Sequence, residues 1–292
     1  VAFLFSTALG FFHGAACRLL YPPAAGWLPG AEEPHLSRSI DLNADLGEGY
    51  GPWTMGDDAG LLGIVASANV ACGGHAGDPE TMYETLRLAA ARQVVVGAHP
   101  GYADPLHFGR RPLPLTVGEV ERLIAAQVGA LQGVASLAGT RVAYVKPHGA
   151  LANVAAADAA VARAVATAVR ALPGQLELLV LAGSELERAG RAAGLVVRRE
   201  IYADRAYLAS GQLVPRSAAG AVLHDATAAV ERLAGYLASG RMPVVDGEPI
   251  ALEADSICVH GDGPGAVALA AAVRRGILAA GWVVAPFAGA SR

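Results

Sequence analysis

From residue 39 onward, short apolar runs alternate with longer alanine-rich segments, and that repetition limits the chain to very few architectures. The apolar runs occupy residues 39–45, 67–72, 94–99, 142–148, 176–183, 196–204 and 256–262. Segments with helical character lie between or after them, at 79–92, 117–138, 155–172, 184–193, 224–239 and 265–280. Strands that alternate with helices imply a parallel sheet, because each crossover returns the chain to the same end. About seven such units without a Rossmann glycine fingerprint favour a single, closed or nearly closed α/β barrel over a doubly wound open sheet, the runner-up. No linker divides residues 39–292. Residues 1–38 carry no period that continues into the barrel, and the apolar run there lacks the basic flank of a signal peptide. They are expected to be a non-native or unstructured N-terminal extension.

Composition excludes several functions. Hydrophobic residues make up 53% of the chain against 16% charged, enough for a large core. A net charge of −4 argues against nucleic-acid binding. The apolar run over residues 1–12 is too short for a bilayer, which takes about 20 residues, so no membrane association is expected. Cys17, Cys72 and Cys258 form no CxxC pair, which suits a reducing, cytoplasmic setting and argues against structural zinc. Lys146 is the single lysine in a chain whose other basic side chains are arginine.

Polar side chains gather where the apolar runs end: Asn43, Asp45 and Glu48; Cys72 and His75; His99; Lys146 and His148; Asp204 and Arg205; His260 and Asp262. In a parallel barrel those ends meet on one face, where active sites lie. Asn43 and Asp45, two residues apart on a strand, share a face, as do Lys146 and His148. Gly73 and Gly74 allow the bend that presents His75, whereas Asp78 before Pro79 reads as a helix N-cap. His107 and neighbouring arginines lie on a long loop able to act as a lid. Lys146 is suited to polarising an amide carbonyl or holding phosphate, and His148 to proton transfer. The forks of Arg205 and Arg216 suit carboxylates or phosphates, although an Asp204–Arg205 loop clamp would serve structure alone. Asp45, His75 and His99 have the ligand types of a catalytic metal site, and hydrogen-bonding roles without metal fit them equally. The candidate catalytic residues are therefore Asp45, Glu48, Lys146 and His148. The candidate substrate contacts are Asn43, His75, His99, Asp204, Arg205, Arg216 and His260.

Six blocks in this order, DLNADLGEG, SANVACGGHAGDPETM, GAHPGY with FGRR, VKPHGAL, EIYADRAY with LVPRSAAG, and CVHGDG, resemble the LamB/YcsF family across residues 40–287. The resemblance implies a barrel related to the glycoside hydrolase/deacetylase fold. It further implies the A component of a 5-oxoprolinase, with partner subunits B and C, that converts 5-oxo-L-proline, ATP and water to L-glutamate, ADP and phosphate. ATP with Mg²⁺ is thus an expected cofactor, though the chain has no GxxxxGK[ST] loop. Two alternatives are a metal-dependent deacetylase or amidohydrolase acting alone, and a non-catalytic subunit that presents substrate.

Overall fold

The computed structural model describes residues 38–289 apart from His224 and Pro264. The expected extension over residues 1–38 lies, except for Arg38, outside the described residues. Seven parallel strands close into a barrel: β1 (Ser39–Leu46), β2 (Ser67–Ala71), β3 (Val95–His99), β4 (Val142–Val145), β5 (Glu177–Leu181), β6 (Val197–Tyr202) and β9 (Ser256–Val259). Strand β9 completes the ring, pairing with β6 through Glu200↔Ser256 and with β1 through Asp41↔Ser256. A two-residue strand, β10 (Val283–Val284), adds to the start of β1, and β7 (Arg241–Met242) pairs antiparallel with β8 (Ile250–Ala251) in a separate hairpin. The alternation in the sequence thus marked each barrel strand, while the two-residue elements are too short to leave a period.

The helices α1 (Asp58–Leu61), α2 (Pro79–Ala91), α3 (Val117–Leu137), α4 (Gly149–Ala157), α5 (Ala159–Ala171), α6 (Glu185–Ala192), α7 (Ala226–Ser239) and α8 (Ala266–Ala279) follow the strands. Asp78 caps α2 through Glu80 N and Thr81 N, and Thr116 and Glu119 form a capping box on α3. The helical segment expected over 155–172 is in fact two helices. Asp158 leaves helical geometry (φ −109°, ψ 114°), ends α4 and caps α5 through Ala160 N and Val161 N. Among the described residues no single helix is long and apolar enough to cross a membrane.

The outward strand residues, among them Leu42, Ala44, Val70, Val96, Val145, Leu178, Ile201 and Ile257, join Leu86, Ile124, Leu131, Val165 and Val273 of the helices in one apolar core. The lumen is different. A small apolar cluster of Tyr144, Leu179 and Phe287 is followed by a column of buried polar groups, and Tyr144 spans the two. Its ring lies 4.9 Å from that of Phe287, and its hydroxyl donates to Asn69 Oδ1 at 2.7 Å. Gly97 makes room for that ring: a Cβ there would sit 2.2 Å from Tyr144 Cε2.

Asp41 lies in the same column, accepting from Ser67 Oγ at 2.6 Å and from Ser256 Oγ. Burial outweighs these two hydrogen bonds and pushes its carboxyl up to about 7. Above about pH 4 the unfolded chain has released this proton while the folded chain keeps it. Stability should therefore fall as pH rises from about 4 to about 7, by at most about 4 kcal/mol for this group. Asp41→Asn is expected to remove that contribution. Urea unfolding of both proteins at pH 5 and pH 8 checks it: the stability difference between them should shift in favour of the variant at the higher pH.

Candidate functional site

The lumen network rises from Asp41 to the C-terminal mouth. Asn43 Nδ2 donates to Ser256 Oγ at 2.7 Å, and Asn69 Nδ2 donates to Asn43 Oδ1 at 2.7 Å and Asp45 Oδ1 at 2.8 Å. Lys146, 1% exposed, stands at its centre. The ammonium has three protons, and three acceptors surround it: Asp45 Oδ1 at 3.0 Å, Asn43 Oδ1 at 3.2 Å and Cys258 Sγ at 3.0 Å. Glu200 Oε2, 3.1 Å away but outside hydrogen-bonding geometry, adds a second negative charge, and Tyr202 donates to the other oxygen of Glu200 at 2.8 Å. Burial alone would lower the affinity of Lys146 for its proton, but Asp45, Cys258 and Glu200 reverse the direction and hold the lysine well above its ordinary range. Burial likewise works against a charged Asp45, and His99 with Lys146 outweighs it, so Asp45 stays ionised. The single lysine therefore spends its donors on the protein.

Above this layer four side chains converge. Glu48, His75, His99 and His148 each place a ligand atom within 4.8 Å of the others, all buried. Asp45, one of the three residues with metal-ligand types together with His75 and His99, lies one step deeper, with Oδ1 3.4 Å from His99 Nε2. The backbone sets the tautomers. His99 Nδ1 lies 2.7 Å from the Lys146 carbonyl and His148 Nε2 lies 2.9 Å from the Phe108 carbonyl, and a carbonyl only accepts. Each of those nitrogens carries a proton. The remaining pair, His99 Nε2 and His148 Nδ1, then face each other at 3.0 Å with Glu48 Oε1 3.6 Å from the latter. Two neutral imidazoles would oppose lone pairs there. A shared proton balanced by Asp45 resolves the conflict, and so does a cation, for which two imidazoles and a carboxylate are a fitting donor set.

His75 differs from its neighbours. It stacks on His148 with ring centroids 3.5 Å apart, and its Nε2 meets Glu48 Oε1 at 3.1 Å. Its Nδ1 has no hydrogen-bond partner, because Gly101 packs against it so closely that a Cβ would approach to 2.8 Å. No acceptor orients His75 from behind as carbonyls orient the other two. Burial raises the Glu48 carboxyl well above its usual range, with Asp45 adding to it, and burial with neighbouring imidazoles holds His75 and His148 well below theirs. Without a cation, Glu48, His75 and His148 are therefore held as neutral groups.

A cavity of about 300 Å³ opens on this layer, lined by Asp45, His99, Lys146, His148, Arg205, Arg216 and His260 among others. The candidates from sequence thus meet at one mouth, with Asn43 beneath and Glu48 and His75 behind His148. Their states differ. Arg205 Nη2 donates to the Val214 carbonyl at 2.6 Å and Nε to that of Ala221 at 3.2 Å, so its guanidinium clamps the loop through main-chain carbonyls and not through a pair with Asp204. Among the described residues Arg216 has no carboxylate within 4.0 Å. Asp204 holds His260, its Oδ2 2.7 Å from Nδ1. Arg110, on the loop expected as a lid, reaches Asp262 at 2.5 Å and lies over the Phe108 ring, tying the loop after β3 to that after β9. Asn69, Tyr144, Glu200, Tyr202 and Cys258 were absent from the candidates, although each continues the same alternation of polar residues along an apolar strand.

A seven-stranded βα barrel with a polar lumen and a buried Glu–His₃ cluster at its C-terminal mouth defines a class of proteins with a small-molecule site. The chain belongs to the LamB/YcsF family, whose model matches residues 40–292. It is 52% identical over 251 residues to the 5-oxoprolinase A subunit of Rhodopseudomonas palustris (strain ATCC BAA-98 / CGA009), covering 86% of this chain and 99% of that one. It is 50% identical over 254 residues to the 5-oxoprolinase A subunit of Methylococcus capsulatus, covering 87% and 98%. Among solved structures, the lactam utilization protein from Thermus thermophilus superposes with a TM-score of 0.80 at 43% identity, covering 85% of this chain and all of that one.

Two expectations follow from the geometry. Lys146→Met leaves Asp45 and Glu200 without a counter-charge, so it should destabilise the fold by about 3–5 kcal/mol, read by urea unfolding, rather than act on turnover alone. If the cluster binds a cation, metal analysis after dialysis against zinc or manganese should find one ion per chain. Glu48→Ala and His148→Ala should lose it, whereas His75→Ala, lacking a supported nitrogen, should weaken binding by less than about tenfold.

Proposed function

We propose that this chain is the A component of an ATP-dependent 5-oxoprolinase and binds the five-membered lactam in the cavity at the barrel mouth. The observation that carries the proposal is identity of about 50%, over nearly the whole length of the relatives, to proteins named as the A subunit of 5-oxoprolinase. The geometry supports it. The cavity is small, is lined by several charged and imidazole side chains, and offers Arg216, which has no carboxylate partner among the described residues, for the substrate carboxylate. The lactam group then faces Asp45, His99 and His148. A cation in the Glu48–His75–His99–His148 cluster would supply charge to polarise a carbonyl or lower the pKa of a bound water.

The role of ATP follows from the chemistry of the ring. An unstrained lactam resists hydrolysis, and transfer of phosphate to its oxygen makes the ring carbon a better electrophile. The chain lacks a P-loop, so nucleotide handling with Mg²⁺ is assigned to the assembly with subunits B and C, in the cytoplasm. The Glu–His₃ cluster also favours a second reading, a metal-dependent amide hydrolase acting alone.

The two readings separate in one assay. Glutamate formation and ADP release are measured with 5-oxoproline, with and without the B and C subunits. The proposal expects turnover that requires ATP and both partners; ATP-independent turnover by the isolated chain, lost on chelation, would support the second reading. In the assembled enzyme Arg216→Ala should raise KM by about 10- to 100-fold, as expected for one charge-assisted contact, with Arg216→Lys intermediate. An unchanged KM would remove Arg216 from the substrate site.

A further inference from the structure

The wall of the cavity formed by β6 and β9 lies across the barrel from β3 and β4, and it carries a histidine of a different kind. His260 follows β9 and presents Nδ1 to both oxygens of Asp204, at 2.7 and 3.0 Å. Asp204 follows β6 and is 4% exposed. Burial would push its carboxyl up, but the facing His260, and then Arg216, outweigh burial and keep it ionised. The carboxylate fixes the tautomer: the proton sits on Nδ1, and the lone pair on Nε2 is left bare. Among the described residues Nε2 makes no hydrogen bond, and it is not a sealed atom. The ring lies on Tyr202, centroids 5.4 Å apart and 21° from parallel, which fixes its plane.

The support behind Asp204 is equally specific. Arg232 of α7 donates to the carbonyls of Tyr202 at 2.9 Å, Ala203 at 2.7 Å and Arg205 at 2.5 Å. One guanidinium thereby grips the backbone on both sides of Asp204. Leu223 N donates to the Asp204 carbonyl at 2.8 Å. On the other partner, Gly261 packs so closely on the Asp45 carbonyl that a Cβ would approach to 2.3 Å, which fixes the chain directly after His260. A surface ion pair has no need of such bracing. A proton-transfer pair does, because its geometry must hold while its charge changes.

We infer that His260 is the general base of the lactam-opening step and that Asp204 is its positioning residue. The inference rests on the lactam reading above. In the step, a water oxygen bonds to the ring carbon of the O-phosphorylated lactam, its nitrogen still protonated, while the C=N π pair moves onto that nitrogen. The water proton passes to Nε2, and Asp204 stabilises the resulting imidazolium. When the ring C–N bond breaks, its electron pair stays on nitrogen, the same proton passes from Nε2 to that nitrogen, and the O–H pair of the added hydroxyl closes a C=O bond as its proton leaves to solvent; the resulting acyl phosphate is cleaved by a second water to carboxylate and phosphate. His260 returns to its starting state, and the remaining product is the open-chain amine.

The test uses the full chain for one arm and the assembled enzyme with its partner subunits for the other. In the isolated chain, ¹⁵N–¹H correlation of the imidazoles should show His260 protonated at Nδ1 and bare at Nε2, a pattern lost in Asp204→Asn. A proton resident on Nε2 of the wild type would overturn the inference whatever the substrate proves to be. In the assembled enzyme His260→Ala should lower kcat by about 10²–10⁴-fold with KM changed little, and added imidazole should restore part of the loss. His260→Gln, which keeps bulk beside Asp204, should fold normally and stay slow. Normal turnover by a folded His260→Gln enzyme would overturn the role. Absence of lactam-dependent turnover in the wild type would instead sink the lactam reading, and the tautomer measurement would still decide whether Asp204 prepares a base.

Discussion

The ion-pair layer around Lys146 is the constraint on which the rest of the mouth depends. A charge placed inside a barrel is tolerable only if its neighbours replace water, and here Asp45, Asn43, Cys258 and Glu200 come from β1, β9 and β6 while the lysine follows β4. The layer therefore stitches strands that are not neighbours. It also fixes Asp45, whose carboxylate must sit where Lys146, Asn69 and His99 can all reach one oxygen. Apolar side chains of equal volume would fill the lumen without that precision, since dispersion contacts are not directional.

This layer separates structure from chemistry along the barrel axis. Below it lie Asp41, Ser67, Ser256 and Asn69, all buried and none lining the cavity. Above it stand the imidazoles. The carbonyl of Lys146 is the acceptor that orients His99, so the residue that neutralises the lumen also sets the tautomer in the layer above through its main chain. The loop after β3 contributes in the same way, since the carbonyl of Phe108 orients His148 while the neighbouring Arg110 ties this loop to Asp262.

Much of this was legible in the sequence because barrel strands keep a strict period of two. Asn43 and Asp45 were recognisable as one face, and extending the count backward reaches Asp41 and across to Ser67 and Asn69. What could not be read was which polar groups satisfy one another. Glu48 and His75 lie on loops after β1 and β2, and nothing in their spacing shows that they meet. Arg205 and Arg216 look equivalent in sequence, yet one is consumed by the carbonyls of Val214 and Ala221 while the other has no carboxylate partner among the described residues. Arg110 and Asp262 are 152 positions apart. The break at Asp158 was hidden because alanine continues on both sides, and only the aspartate's competing bonds to the backbone reveal it.

The two walls of the cavity assign their histidines to different work. His99 and His148 are oriented by neutral carbonyls, which fix a tautomer but do little to stabilise an imidazolium, and burial disfavours that charge further at His148. Their facing nitrogens therefore suit a cation or a proton shared under the charge of Asp45. His260 is oriented by the ionised carboxylate of Asp204, which fixes the tautomer and stands ready as the counter-charge to an imidazolium. One wall holds positive charge brought to it, while the other takes up a proton and gives it back. A carbonyl placed between them would meet an electrophilic side and a basic side, and that asymmetry is what hydrolysis of an amide requires.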